Sequence, residues 1–111
     1  KNELVTDELP NGKSYAYSAD TIYDERIIEN VRGVDVLYHE STYLKDLEER
    51  ATKRFHSTAE QAAIIAQKAS VKRLLLGHFS SKYETLEGFQ KEAREVFPNS
   101  DLALEGVTYR I

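Results

Sequence analysis

The chain has 111 residues, 15 basic and 19 acidic, for a formal net charge of −4 with histidine neutral. That length suits one domain with one core, and the acidic balance does not advertise a nucleic-acid binder, although a local basic patch can act within an acidic chain. With no cysteine, disulfides and thiolate metal sites are excluded, so any metal must be held by His, Asp or Glu.

No apolar run approaches the ~20 residues of a membrane span. No signal peptide is visible, so the expectation is a cytoplasmic protein with no membrane partner. Methionine is absent, even at position 1, which suggests a piece of a longer protein. Residues 1–13 are polar and acidic and read as an exposed lead-in or a loop joined to upstream structure, with Pro10-Asn11-Gly12 as a turn signal. Ser14 to Ser18 is a strand candidate with tyrosines on alternate positions, followed by a loop at Ala19-Asp20-Thr21. Asp24 to Val31 reads as a short helix with Ile27, Ile28 and Val31 on one face. Gly33 suits the position just past its end. Val34 to His39 is the second strand, and Glu40-Ser41-Thr42-Tyr43 turns out of it.

Leu44 to Lys53 is charged and suggests one or two helical turns. Ser57-Thr58-Ala59-Glu60 has the Ser-x-x-Glu pattern of a capping box and opens a helix to about Ala69. Ala62, Ile65, Ala66 and Ala69 share one side of it, small enough for close packing on a sheet. The strand that follows Val71 carries Leu74, Leu75 and Leu76, a continuous apolar run that suits a strand covered on both faces. It ends on Gly77-His78. Thr85 to Phe97 is a third long helical segment, stopped by Pro98. Leu102-Ala103-Leu104 and Val107 to Ile111 close the chain as short strands around Gly106. Alternating strands and helices predict an α/β fold with a mainly parallel sheet.

In such sheets, ligands bind beyond the carboxyl ends of the strands. Three predicted strands end on residues able to do chemistry: Asp20, His39-Glu40 and His78. Asp20 alone fits a turn aspartate, and His78 alone fits a histidine bonded to a backbone carbonyl. Together they offer a carboxylate and an imidazole suited to Zn²⁺ or Mn²⁺, but a catalytic zinc takes three protein ligands. His56 precedes a helix, and Glu40 is the carboxylate placed to fix its tautomer. A Glu–His general acid and a loop histidine beside a locally capping glutamate both remain open on the residues alone. Lys82 and Tyr83 could supply a phosphate contact and a base-stacking ring, but on the residues alone a solvated lysine and a partly buried tyrosine is the favoured reading.

Four motifs in order resemble the C-terminal part of ribonuclease Z, the tRNA 3′-processing endonuclease of the metallo-β-lactamase fold. They are Tyr17-Ser18-Ala19-Asp20-Thr21, Tyr38-His39-Glu40-Ser41-Thr42-Tyr43, His56-Ser57-Thr58-Ala59 and Leu76-Gly77-His78-Phe79-Ser80-Ser81-Lys82-Tyr83. The resemblance implies the C-terminal half of an αββα sandwich, with residues 1–111 as a single partial domain. It implies that Asp20 bridges two zinc ions and that His78 completes the second. Glu40 and His56 would form the acid pair at the leaving group, supported by His39, Ser57 and Thr58. Ser80, Lys82 and Tyr83 would lie on the substrate side. The function implied is removal of 3′ trailers from precursor tRNA. Another phosphodiesterase of the same fold, or a non-catalytic α/β interaction module, is the alternative.

The sequence departs from the family in two ways. Lys82 stands where the family has arginine, which keeps the charge but loses the two-pronged phosphate geometry. The His-x-His-x-Asp-His motif that supplies most of the zinc ligands does not occur. The chain by itself is therefore expected to be inactive and to bind zinc weakly. Its uncovered sheet face should favour a homodimer.

Overall fold

The computed structural model describes residues 3–8, 13–19 and 23–103. Five strands form one sheet: β1 (Glu3–Glu8), β2 (Ser14–Ala19), β3 (Val36–Glu40), β4 (Arg73–Gly77) and β5 (Ser100–Leu102). They lie side by side in chain order, with β1 antiparallel to β2 and β2 to β5 parallel. The expected lead-in is thus in part an edge strand, registered from Glu3 opposite Ala19 to Glu8 opposite Ser14. Its charged composition hides the strand signal, and pairing with β2 supplies what the local pattern lacks. Pro10-Asn11-Gly12, Asp20, Leu104 and the expected strand from Val107 lie outside the described residues.

Strand order follows chain order, and parallel crossovers are right-handed. Successive crossovers therefore land on the same face of the sheet. Ala16, Leu37, Leu74 and Leu76 point to that face and share one core with Ile27, Ile28, Val31, Ala62, Ile65, Phe89 and Ala93. The result is one helix layer on one sheet, the pair of layers expected of half an αββα sandwich. No helix among the described residues is long and apolar enough to cross a membrane.

The expected helix from Asp24 is a 3-10 turn, Glu25–Ile27, running into the single-turn α1, Ile28–Val31. The Asp24 carboxylate caps it by accepting from the Arg26 N–H at 2.9 Å. Gly33 takes φ +75°, a conformation that costs glycine nothing, and its N–H donates to the Ala69 carbonyl at 2.8 Å. Residues 44–53 form a 3-10 turn, Lys45–Leu47, and α2, Glu48–Lys53.

Helix α3 spans Ala59–Ala69, and Ala59, Ala62, Ala63, Ala66 and Ala69 are all fully buried. Its capping box is shifted by one residue from the expected Ser57–Glu60 pair. Thr58 Oγ1 accepts from the Gln61 N–H at 3.1 Å, and Gln61 Oε1 accepts from the Thr58 N–H at 3.0 Å. The shift has a tertiary cause: an isolated β-bridge between Tyr43 and Thr58 keeps the chain extended through Thr58. Helix α4, Glu87–Arg94, is shorter than expected, and Leu86 at its N-cap provides no side-chain cap. Glu92 on α4 accepts from the Glu60 N–H at 2.8 Å and from the Lys45 N–H at 3.0 Å. It braces the first turn of α3 from a neighbouring helix, at the cost of a carboxyl raised by burial.

The other sheet face carries Tyr15, Tyr17 and Tyr38. Tyr17 and Tyr38 stack with ring centroids 4.7 Å apart. The hydroxyl end of Tyr38 lies over Gly77, so closely that a Cβ on residue 77 would overlap its ring. Burial, with smaller contributions from the neighbouring tyrosines and Glu40, pushes the Tyr38 phenol up to about 12.

Candidate active site

Because β2, β3 and β4 run parallel, their carboxyl ends fall on one edge of the sheet. Register places Ser18 beside His39 and Glu40 beside Gly77. Beyond the ladder, the Ser41 N–H and hydroxyl both donate to the Gly77 carbonyl, at 2.8 and 3.3 Å. The Ser80 N–H donates to the Thr42 carbonyl at 2.9 Å. These bonds tie the segment after β3 to the segment after β4.

Glu40, fully buried at the end of β3, is the centre of the polar cluster. Its Oε1 accepts from His56 Nδ1 at 2.8 Å. Its Oε2 accepts from the Thr42 hydroxyl at 2.6 Å, and from the Thr42 and Ser57 N–H groups at 3.3 Å each. A carboxylate can only accept, so His56 carries a proton on Nδ1 and turns Nε2 outward. The His56 side chain is 22% exposed against 0% for Glu40, which leaves the ring able to meet a substrate. The chain reaches His56 through Phe55, in a left-handed conformation, and through the His56 N–H donating to the Ala51 carbonyl at 2.8 Å.

His78 follows β4 directly and is exposed. It too is left-handed, with φ +63°, a region in which histidine is enriched among non-glycine residues. Its Nδ1 lies 3.0 Å from Thr42 Oγ1, and its ring centroid lies 5.4 Å from that of His56. Thr42 therefore links the Glu40–His56 pair to His78, a contact the sequence motif contained without indicating.

His39 is fully buried on the helix-facing side of β3. Its Nδ1 donates to the Glu40 carbonyl at 2.7 Å, a bond that helps end the strand at Glu40. Burial depresses its pKa, so the ring is neutral. Its Nε2 has no hydrogen-bond partner among the described residues. Ser57 and Thr58 are buried and act through the Ser57 N–H to Glu40 and the Thr58 cap.

Beyond His78, Lys82 is exposed, and its N–H donates to the Ser80 hydroxyl at 3.2 Å. Tyr83 is engaged at both ends. Its ring stands edge-on to Phe89 at 5.1 Å, while its hydroxyl donates to Asp46 and accepts from the Leu44 N–H, each at 3.0 Å.

Glu40, His56 and His78 each present a ligand atom, all within 4.8 Å of one another. Zinc bonds of ~2.0–2.1 Å would draw two ligand atoms to within about 4.2 Å, so small movements would bring the three around one ion. Imidazole and carboxylate donors fit zinc. Glu40 already satisfies four donors among the described residues, so exposed His78 is the member most open to a metal.

The family described as "Beta-lactamase superfamily domain" matches residues 5–79. The chain is 50% identical over 106 residues to ribonuclease Z of Parabacteroides distasonis, covering 96% of the chain and 35% of that relative. It is 53% identical over 92 residues to ribonuclease Z of Azobacteroides pseudotrichonymphae, covering 82% of the chain and 32% of the relative. The chain thus spans about a third of the length of these curated relatives. Among solved structures, the metallo-beta-lactamase fold protein YhfI from Bacillus subtilis superposes with a TM-score of 0.82 at 23% identity, over 97% of this chain and 48% of that one. Human tRNase Z, short form, gives a TM-score of 0.72 at 23% identity, over 97% of this chain and 38% of that one. At that identity the two structures speak for the fold.

Proposed function

We propose, since the chain belongs to the beta-lactamase superfamily, that it is the C-terminal portion of a zinc-dependent endoribonuclease that removes 3′ trailers from precursor tRNA. The observation that carries this reading is the 2.8 Å bond between buried Glu40 and partly exposed His56. Relatives named ribonuclease Z support the substrate class. The complete protein would work in the cytoplasm, with precursor tRNA as its partner. A homodimer would form through the tyrosine-bearing sheet face wherever the rest of the sandwich does not cover it.

Glu40 fixes the His56 ring, and His56 Nε2 delivers a proton to the departing 3′-oxygen. Lys82 neutralises a phosphate of the RNA beside the Ser80 hydroxyl, and Tyr83 supports that loop through Asp46 and Phe89. Asp20 and His78 are the residues of this chain assigned to zinc, two ions in the complete enzyme. When bound, zinc supplies Lewis-acid stabilisation at the phosphate. His39, Ser57 and Thr58 hold the end of β3 and the start of α3 in register.

The test is single-turnover cleavage of a precursor tRNA by the intact protein at saturating enzyme. His56→Ala should lower the rate by ~10²–10⁴ with zinc content unchanged. Full activity in that variant would remove His56 from the chemistry. The 111-residue chain alone should show no cleavage.

A further inference from the structure

Thr42 sits between the two halves of the cluster. Its hydroxyl oxygen lies 2.6 Å from Glu40 Oε2 and 3.0 Å from His78 Nδ1. A threonine hydroxyl has one proton to give and lone pairs to receive. Glu40 is ringed by donors on both oxygens, so the side facing Thr42 is an acceptor and takes that proton. The 2.6 Å separation is in the range of an O–H to carboxylate bond. Thr42 Oγ1 can then only accept from His78, and the His78 proton must sit on Nδ1. In a neutral imidazole the lone pair is then on Nε2.

We propose that Thr42 is a positioning residue that locks His78 in the Nδ1–H tautomer and so presents Nε2 to the metal. The inference rests on the zinc-enzyme reading above and adds the side chain that orders its metal ligand. Two further observations support it. The Thr42 residue is 7% exposed, so water competes poorly for its hydroxyl. His78 holds a left-handed backbone at φ +63°, a strained conformation for a non-glycine residue that persists only where its surroundings hold it. The bond to Thr42, with the clamp of Ser41 on Gly77 and of Ser80 on Thr42, is what imposes it here. The same hydroxyl makes the metal ligand and the acid pair parts of one hydrogen-bonded chain: His78, Thr42, Glu40, His56.

The test uses the intact protein, wild type, Thr42→Val and Thr42→Ser. Valine keeps the shape without the hydroxyl, and serine keeps the hydroxyl. The first readout is the tautomer of His78 in the zinc-free protein, from long-range ¹H–¹⁵N correlation of the imidazole at a pH where it is neutral. The expected result is a proton on Nδ1 in wild type and Thr42→Ser, and a tautomer mixture in Thr42→Val. The second is zinc affinity by competition with a chromophoric chelator. Loss of an outer-sphere partner costs ~10–100-fold in metal affinity, so Thr42→Val should weaken zinc by that factor and Thr42→Ser should stay close to wild type. A proton on Nε2 in wild type, or unchanged zinc affinity in Thr42→Val, would overturn the proposal. If Thr42→Val does not fold, the wild-type tautomer alone decides. That measurement needs neither zinc nor RNA, so it separates a failure here from a failure of the tRNA-processing reading.

Discussion

Truncating Glu40 should damage folding as well as catalysis, and the structure says by how much. Glu40→Ala strips an acceptor from two backbone N–H groups at 3.3 Å, from the Thr42 hydroxyl at 2.6 Å and from His56 Nδ1 at 2.8 Å. A buried donor left without a partner costs ~1–3 kcal/mol. The four do not count equally. The two backbone bonds are long and lose least. His56 is partly exposed and can turn to water, and the cavity left by the side chain is polar enough to admit a water. Removing a desolvated carboxylate returns part of the loss. The expected net is a destabilisation of about 2–4 kcal/mol. Glu40→Gln, which keeps the shape and one oxygen, should cost about half of that. His56→Ala removes the donor to buried Glu40 Oε1 and should cost ~1–3 kcal/mol, at the low end where water fills the partly exposed space the ring leaves. The assay is denaturant unfolding of the intact protein for all three variants, with single-turnover cleavage beside it. Rate losses for Glu40→Ala and His56→Ala should be similar, and the double variant little worse, because residues acting as a unit are non-additive. A Glu40→Ala variant within about 1 kcal/mol of wild type would refute the reasoning, since that is less than the low end of the donor-by-donor estimate.

Three further outcomes follow from the same geometry. Gly77→Ala should destabilise by ~1–3 kcal/mol, because the new methyl must lift Tyr38 from the sheet and disturb its stack on Tyr17; a thermal melt reads it. Thr58→Ala should cost about 1 kcal/mol as a lost cap, whereas Arg26→Ala, at an exposed ion pair with Asp24, should stay within about 0.5 kcal/mol in the same melt. Stability should fall as pH rises from 10 toward 12. The folded Tyr38 stays protonated to about 12 against an ordinary 10.0, so in that window the unfolded chain binds fewer protons and gains. The check is alkaline denaturation followed alongside tyrosinate absorbance, and Tyr38→Phe should reduce the slope without abolishing it, because Tyr23 is likewise raised to about 12.

Much of the fold was readable from local pattern. The apolar run Leu74-Leu75-Leu76 identified a buried parallel strand, the alanines of α3 identified a helix that packs close, and Gly33 marked a helix end. Each of these signals is carried by side-chain size or backbone preference within a few residues. β1 was not readable, because a charged edge strand takes its structure from β2 across the hairpin. The capping box lies one residue beyond the Ser-x-x-Glu pattern because that pattern overlaps Thr-x-x-Gln, and the Tyr43–Thr58 bridge chooses between them.

The candidate site divides along the same line. The sequence by itself supplied the residue types, the motifs that resemble ribonuclease Z and the strand ends that carry Glu40 and His78, since parallel strands place their carboxyl ends on one edge whatever their side chains do. Only the tertiary structure decided that Glu40 is buried beneath His56, that Tyr83 is bound to Asp46 and Phe89, and that Thr42 joins Glu40 to His78. The contacts of Glu40 with His56, of Thr42 with His78 and of Tyr83 with Asp46 span 16 to 37 positions of sequence. Hydrogen bonding depends on distances of a few tenths of an ångström, which spacing along a chain cannot encode and packing of the strands and their loops sets.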